Sequence, residues 1–204
     1  NGVRGNLGAV VRALLTAPEA WAPPPPRSGK LREPVLRFTT ITRMLGIAST
    51  EDTWDIWALT DPADGLAQNP WYSPSVFNFY RPGYVPPQTP LGDEGLVAPE
   101  FQIANEAAGS GWLYFITSCI RYPRGGVAFR RMRDFIALSD DPAALVDRLA
   151  TLMCAGPLRD DIRQIVIDHI STIDYTLHPD VTELERVCGA ITMIAASPDF
   201  LVER

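Results

Sequence analysis

Lysine is almost missing from this chain: Lys30 stands alone beside seventeen arginines, a skew that tracks genome base composition and carries no mechanism. Histidine occurs only at 169 and 178, and cysteine only at 119, 154 and 188. Three cysteines exclude a disulfide-built miniprotein but leave either redox compartment open. A long apolar run is also lacking. The best stretch, residues 101–120, is broken by Asn105, Glu106 and Gly109 to Gly111, so no membrane span of about 18 residues is expected. Positive charge is in deficit, with 18 basic against 24 acidic side chains and a net charge of −6, which argues against a general nucleic-acid binder. The opening Asn1-Gly2-Val3-Arg4 has no initiating methionine and no signal-peptide pattern, so the chain reads as a fragment or processed product. What remains is an ordinary globular composition, 46% hydrophobic over 204 residues. That is enough chain for one domain, or two small ones, with a real core.

Residues 5–17 place Leu7, Val10, Val11, Leu14 and Leu15 at helical spacing behind Asn6 as N-cap. Four prolines at 23–26 then enforce an extended spacer. Glu33-Pro34 opens a second helix that runs toward Gly46. Residues 48–98 lose periodicity, and eight prolines fall from Ala48 through Pro99, the last included. Aromatics crowd this segment: Trp54, Trp57, Trp71, Tyr72, Phe77, Phe79, Tyr80 and Tyr84 predict a loop pinned to the body by its own rings. Short helical turns are expected near 54–59 and 62–68. A long helix over 100–120 contains Ala107 to Gly111, whose small side chains predict a close backbone approach or a kink. Three further helices follow: one capped by Asp141 with Leu145, Leu149, Leu152 and Met153 inward, one carrying Leu158, Ile162, Ile165, Val166 and Ile170, and one carrying Val181 to Ala195. The expected fold is all-α, an antiparallel helical bundle bearing a long aromatic and proline-rich irregular loop. It forms a single domain, or the C-terminal part of a larger one, with a helical subregion 1–47, an irregular segment 48–98 and a bundle 99–204.

Five segments resemble, in order, a known family. They are NGVRGNLGAVVRALLTAPEA, GKLREPVLRFT, NPWYSPSVFNFYRPGYVPP, GLVAPEFQIANE and ITMIAASPDFLVER. They look like successive blocks of the bacterial family called domain of unknown function 1800, here its C-terminal part. The resemblance implies a bacterial source, export to the periplasm or the exterior, and frequent gene neighbourhood with an exported family of alkaline-phosphatase-like fold. It implies no reaction.

The best functional candidates lie in the irregular segment and just after it. Phe77, Phe79 and Tyr80 are expected to anchor the loop, Ser75, Asn78 and Arg81 to present polar groups, and Glu100 and Asn105 to complete the set beside Gln102. His169 and His178 match no zinc spacing, and no metal site is expected. Gly109-Ser110-Gly111 is not a nucleophile elbow. No phosphate or dinucleotide fingerprint is present, and no cofactor is expected. Arg121, Arg124, Arg130, Arg131 and Arg133 form the one basic cluster. Cys154 and Cys188 fall on neighbouring inward stripes, where either buried thiols or a disulfide closing about 35 residues, worth about 3 to 4 kcal/mol, would fit. The leading expectation is a structural or interaction component binding a protein partner or the missing N-terminal half. The competing one is an extracytoplasmic, hydrolase-like enzyme centred on Glu100, Arg81 and Asn78. A pair of acids about 5 to 10 Å apart in one pocket would favour that enzyme.

Overall fold

Ten α-helices, a 3₁₀ turn and four very short strands make up the computed structural model, which describes residues 4–22, 29–54, 56, 59–123 and 126–203. The chain divides into two compact units, residues 1–29 and residues 30–203. In the first, α1 (Leu7–Thr16) starts at Asn6, whose side chain accepts from the Ala9 amide at 3.0 Å, as the spacing predicts. A second turn, α2 (Pro18–Trp21), follows, and the Trp21 indole N–H donates to the Leu15 carbonyl. None of the α1 side chains is buried. The proline spacer at 23–26 lies outside the described residues.

The second unit begins with β1 (Lys30–Leu31), which pairs antiparallel with β4 (Val202–Glu203). Helix α3 (Pro34–Met44) has proline in its first turn and ends at Gly46, whose φ of +65° is the left-handed value that suits glycine. β2 (Ile47–Ser49) pairs antiparallel with β3 (Val127–Phe129). The all-α expectation is therefore corrected to mostly helical: strands of two or three residues are too short to show alternation in a sequence.

Of the turns expected at 54–59 and 62–68, residues 55, 57 and 58 of the first lie outside the described residues, and the second forms as a single hydrogen-bonded turn at 62–64. A loop closes around it, with the Leu66 amide donating to the Leu59 carbonyl at 2.9 Å. After α4 (Pro90–Asp93), the predicted long helix starts late. Pro99–Ile103 form a 3₁₀ turn, and α5 (Glu106–Arg121) begins at Asn105, whose side chain accepts from the Ala108 amide at 2.8 Å. A short α6 (Met132–Ile136) precedes α7 (Pro142–Cys154), which Asp141 caps as expected. α7 ends in a left-handed residue one place before the glycine, at Ala155. α8 (Asp160–Ser171), α9 (Pro179–Ala196) and α10 (Pro198–Leu201) complete the unit.

Helix α9 packs against α5, α7 and α8. The core contains Phe115, Leu145, Leu149, Val166, Ile170 and Ile191, all essentially inaccessible. Two residues of the expected inward stripes, Ile165 and Val181, are exposed.

At the α3–α5–α10 contact, four side chains form a layered stack. The Arg32 guanidinium lies 4.6 Å from the Phe200 ring centroid, Phe200 stacks on Trp112 at 6.4 Å, and Arg37 sits 5.9 Å from Trp112. Polar ends are satisfied around it: Trp112 Nε1 donates to the Ala195 carbonyl, Arg37 Nε to the Arg32 carbonyl, and Arg32 to Glu203 and the Met153 carbonyl. This stack carries α3, and the start of α3 holds the loop described next through Glu33 and Val35.

Candidate functional site

The irregular segment is held by polar groups rather than by its rings. Trp71, Tyr72, Val76 and Phe77 are 99%, 75%, 93% and 72% exposed, and Trp54 is exposed as well. The expected aromatic pinning is corrected accordingly: only Phe79, Tyr80 and Tyr84 are half-buried, and Trp57 lies outside the described residues. The anchor is Gln68, 3% exposed, whose Oε1 accepts from the Val35 amide at 3.0 Å while its Nε2 donates to Glu33 at 2.6 Å. A buried amide satisfied on both ends ties the loop to the start of α3. Two more ties follow: the Ala98 amide donates to the Tyr84 carbonyl at 2.8 Å, and the Arg81 amide to Gln102 Oε1 at 2.8 Å.

Between these ties the chain folds over a cleft of about 330 Å³ lined by Pro74, residues 77–81, Ser75 and Gln102. Five of the expected site residues, Ser75, Phe77, Asn78, Phe79 and Arg81, are thereby brought together. The local shape comes from a tight turn in which the Asn78 amide donates to the Ser75 carbonyl and the Phe77 amide to Ser75 Oγ. Asn78 has φ +71°, a left-handed conformation that asparagine tolerates better than most residues. Ser75 thus spends its hydroxyl on the turn. The Asn78 side-chain amide and the Arg81 guanidinium have no protein partner among the described residues.

Glu100 and Asn105 are not part of this cleft, and that expectation is corrected. Glu100 is 8% exposed and pairs with Lys30 Nζ at 3.5 Å, because the 3₁₀ turn carries it toward β1. Asn105 is spent on the α5 cap. Gln102, on the same 3₁₀ turn, is the residue that reaches the cleft. Its place near Arg81 had no periodic signal, since the helix pattern read through 101–104 does not hold there.

Tyr80 joins the two groups. It lines the cleft, and its hydroxyl lies near the Glu33 carboxylate. Burial, the Glu33 carboxylate and the charge of Glu100 all raise its pKa. The folded-state value lies above the unfolded one of about 10. The stability this contact contributes is therefore whole below about pH 10 and drains as pH rises through the raised value. One of the six tyrosines should lag in an ultraviolet titration of tyrosinate, and Tyr80→Phe should remove that laggard. A single tyrosine population, unchanged by Tyr80→Phe, would refute the contact.

The other candidates resolve into structural roles. Cys154 and Cys188 are thiols and not a disulfide. They sit in different surroundings, Cys154 near Arg32 and Asp199, Cys188 near Glu185 and Arg121, and burial pushes both up to about 11. Thiols so raised stay protonated at neutral pH and are poor nucleophiles. His169 and His178 are exposed, and no group of three metal-binding side chains occurs among the described residues. The basic cluster disperses: Arg121 pairs with Glu185 and Arg131 with Asp134, while Arg124 lies outside the described residues. Ser110 bonds back to the Glu106 and Ala107 carbonyls of its own helix. No helix among the described residues is long and apolar enough to cross a membrane.

No curated protein and no solved structure matches the chain. The order of the sequence blocks, the capped helices they form and the cleft built by the SPSVFNFYRPGY block are read together with a family-model match over residues 1–202, described as protein of unknown function (DUF1800). The chain belongs to that family.

Proposed function

We propose that the protein is an interaction component that binds a partner chain through the rim of the 74–81 cleft. The observation that carries this reading is the run of exposed apolar side chains, Trp71, Tyr72, Val76 and Phe77, on a loop whose base is tied down. Contiguous exposed apolar surface is costly in water and marks contact sites. Tryptophan, tyrosine and arginine are the residue types that dominate binding energy at such sites. Elsewhere in the unit, short connections between α7 and α8 and between α8 and α9 favour an antiparallel bundle.

The enzyme alternative loses its centre in this cleft. Its lining contains no aspartate, glutamate or histidine, whereas acid–base hydrolysis of a glycoside needs a carboxyl pair. By the sequence resemblance, the setting is the periplasm or exterior of a bacterium. The partner chains to test first are an exported companion of alkaline-phosphatase-like fold and a further stretch of the same polypeptide.

A photo-crosslinking amino acid at position 77, set against a control at the exposed position 148, tests the proposal in cells that produce the protein naturally. One discrete protein adduct is expected from 77 and none from 148, and Trp71→Ala with Val76→Ala should abolish it without changing the helical circular dichroism. Equal labelling from both positions, or none from 77, would sink the reading.

A further inference from the structure

We infer that the partner segment received by the cleft is an extended, apolar peptide carrying a single aspartate or glutamate, with its carboxylate taken by Arg81. This rests on the partner-chain reading above and specifies its chemistry.

Charge placement carries the argument. Arg81 is the only cation between residues 48 and 98, a segment with seven carboxylates. Its side chain is exposed, and its guanidinium makes no ion pair or hydrogen bond among the described residues. Unlike an arginine on an open helix face, it lines a cleft that no carboxylate enters. The backbone beside it is fixed, since the Arg81 amide donates to Gln102 Oε1. That bond commits the Gln102 oxygen and leaves its amide NH₂ to donate. Asn78, set in its left-handed turn, offers a second amide NH₂. One planar fork of donors flanked by two amides matches one carboxylate, which an arginine binds in a bidentate manner.

The surroundings select the source of that carboxylate. Phosphate dianions and anionic membrane surfaces are gripped by several cations together, whereas Arg81 is the one cation between residues 48 and 98. The exposed Phe77 and Val76 at the rim call for apolar groups next to the charge. A volume of about 330 Å³ lies at the low end for binding pockets and suits a side chain or two of an extended segment.

The probe is a fluorescein-labelled pentapeptide, Ala-Leu-Glu-Leu-Ala, blocked at both ends, with its Gln counterpart as control. Anisotropy titrations of the full chain should show the Glu peptide binding at least tenfold more tightly than the Gln peptide. Arg81→Gln should erase that difference, Arg81→Lys should keep part of it, and rising salt should shrink it. Equal binding of the two peptides, or binding of neither, overturns the carboxylate inference. A position-77 adduct that survives Arg81→Gln would then leave the partner-chain reading standing alone. A Glu preference without any cellular adduct means the reverse. Displacement of the peptide by inorganic phosphate, or by phosphatidylglycerol vesicles, overturns the inference in favour of a phosphate or lipid ligand.

Discussion

Gly111→Ala should destabilise the second unit by about 2 to 4 kcal/mol, whereas Gly109→Ala, two residues away on the same helix, should stabilise it by up to about 1 kcal/mol. The difference lies in what each new methyl group would meet. At position 111 it would stand 2.1 Å from the Pro62 carbonyl oxygen and 2.9 Å from the Ala63 carbonyl. Those are backbone atoms with no rotamer to change, so the loop itself must lift. At position 109 nothing lies within 4 Å, and alanine only gains the ordinary helix preference over glycine. Urea unfolding of the two variants checks the pair.

The consequence reaches the cleft. Residues 62 and 63 lead into Leu66 and Gln68, Gln68 holds Glu33, and Glu33 lies near the Tyr80 hydroxyl. Gly111→Ala is therefore expected to weaken peptide binding as well as stability. If positions 109 and 111 tolerate alanine equally, the close approach is not what seats the loop.

Trp112→Ala should cost about 3 to 5 kcal/mol, the largest single loss in the unit. The side chain is buried, so its removal leaves a cavity. It also strips Phe200 of its stacking partner and Arg37 of the ring beneath its charge, and leaves the Ala195 carbonyl without the indole donor. Arg37 is itself buried, and a buried charge deprived of compensation is expensive. Trp112→Phe keeps most of the volume and should lose about 1 to 2 kcal/mol, the share of the hydrogen bond. Because Arg32, Phe200, Trp112 and Arg37 are layered, Trp112→Ala and Phe200→Ala should be non-additive by at least 0.5 kcal/mol or so in a double-mutant cycle. Strict additivity would mean that the four side chains do not act as one stack.

The long helices and their starts were legible in the residues themselves. Asn6, Asp141 and Pro34 act where their spacing ahead of an apolar stripe places them, because capping and proline geometry are local properties of a few neighbouring residues. The run of small residues in α5 announced a close approach, and family membership followed from ordered blocks that no fold argument was needed to see. Which glycine meets another backbone was not legible. That depends on the rotation of α5 against a segment some fifty residues earlier, and only Gly111 faces it.

The same holds for the site. A dense aromatic segment reads as self-burying, yet Trp71 and Phe77 stand in solvent, since burial is set by the surface available to receive a ring and the α3 and α5 faces are already filled by Arg37, Phe38, Trp112 and Phe115. Glu100 and Gln102 are two residues apart, and sequence alone favoured the charge. The 3₁₀ turn sends the two to different neighbours, Glu100 to Lys30 and Gln102 to Arg81. Pairings such as Arg121 with Glu185 or Arg163 with Asp147 span 64 and 16 residues, and charge type cannot choose among many acids. Local chemistry therefore determined the helices, their caps and the residues that could form a cleft. Tertiary contact decided which of those residues meet, which rings remain exposed and which charged groups pair, because each of these is a relation between distant segments that exists only once the chain has packed.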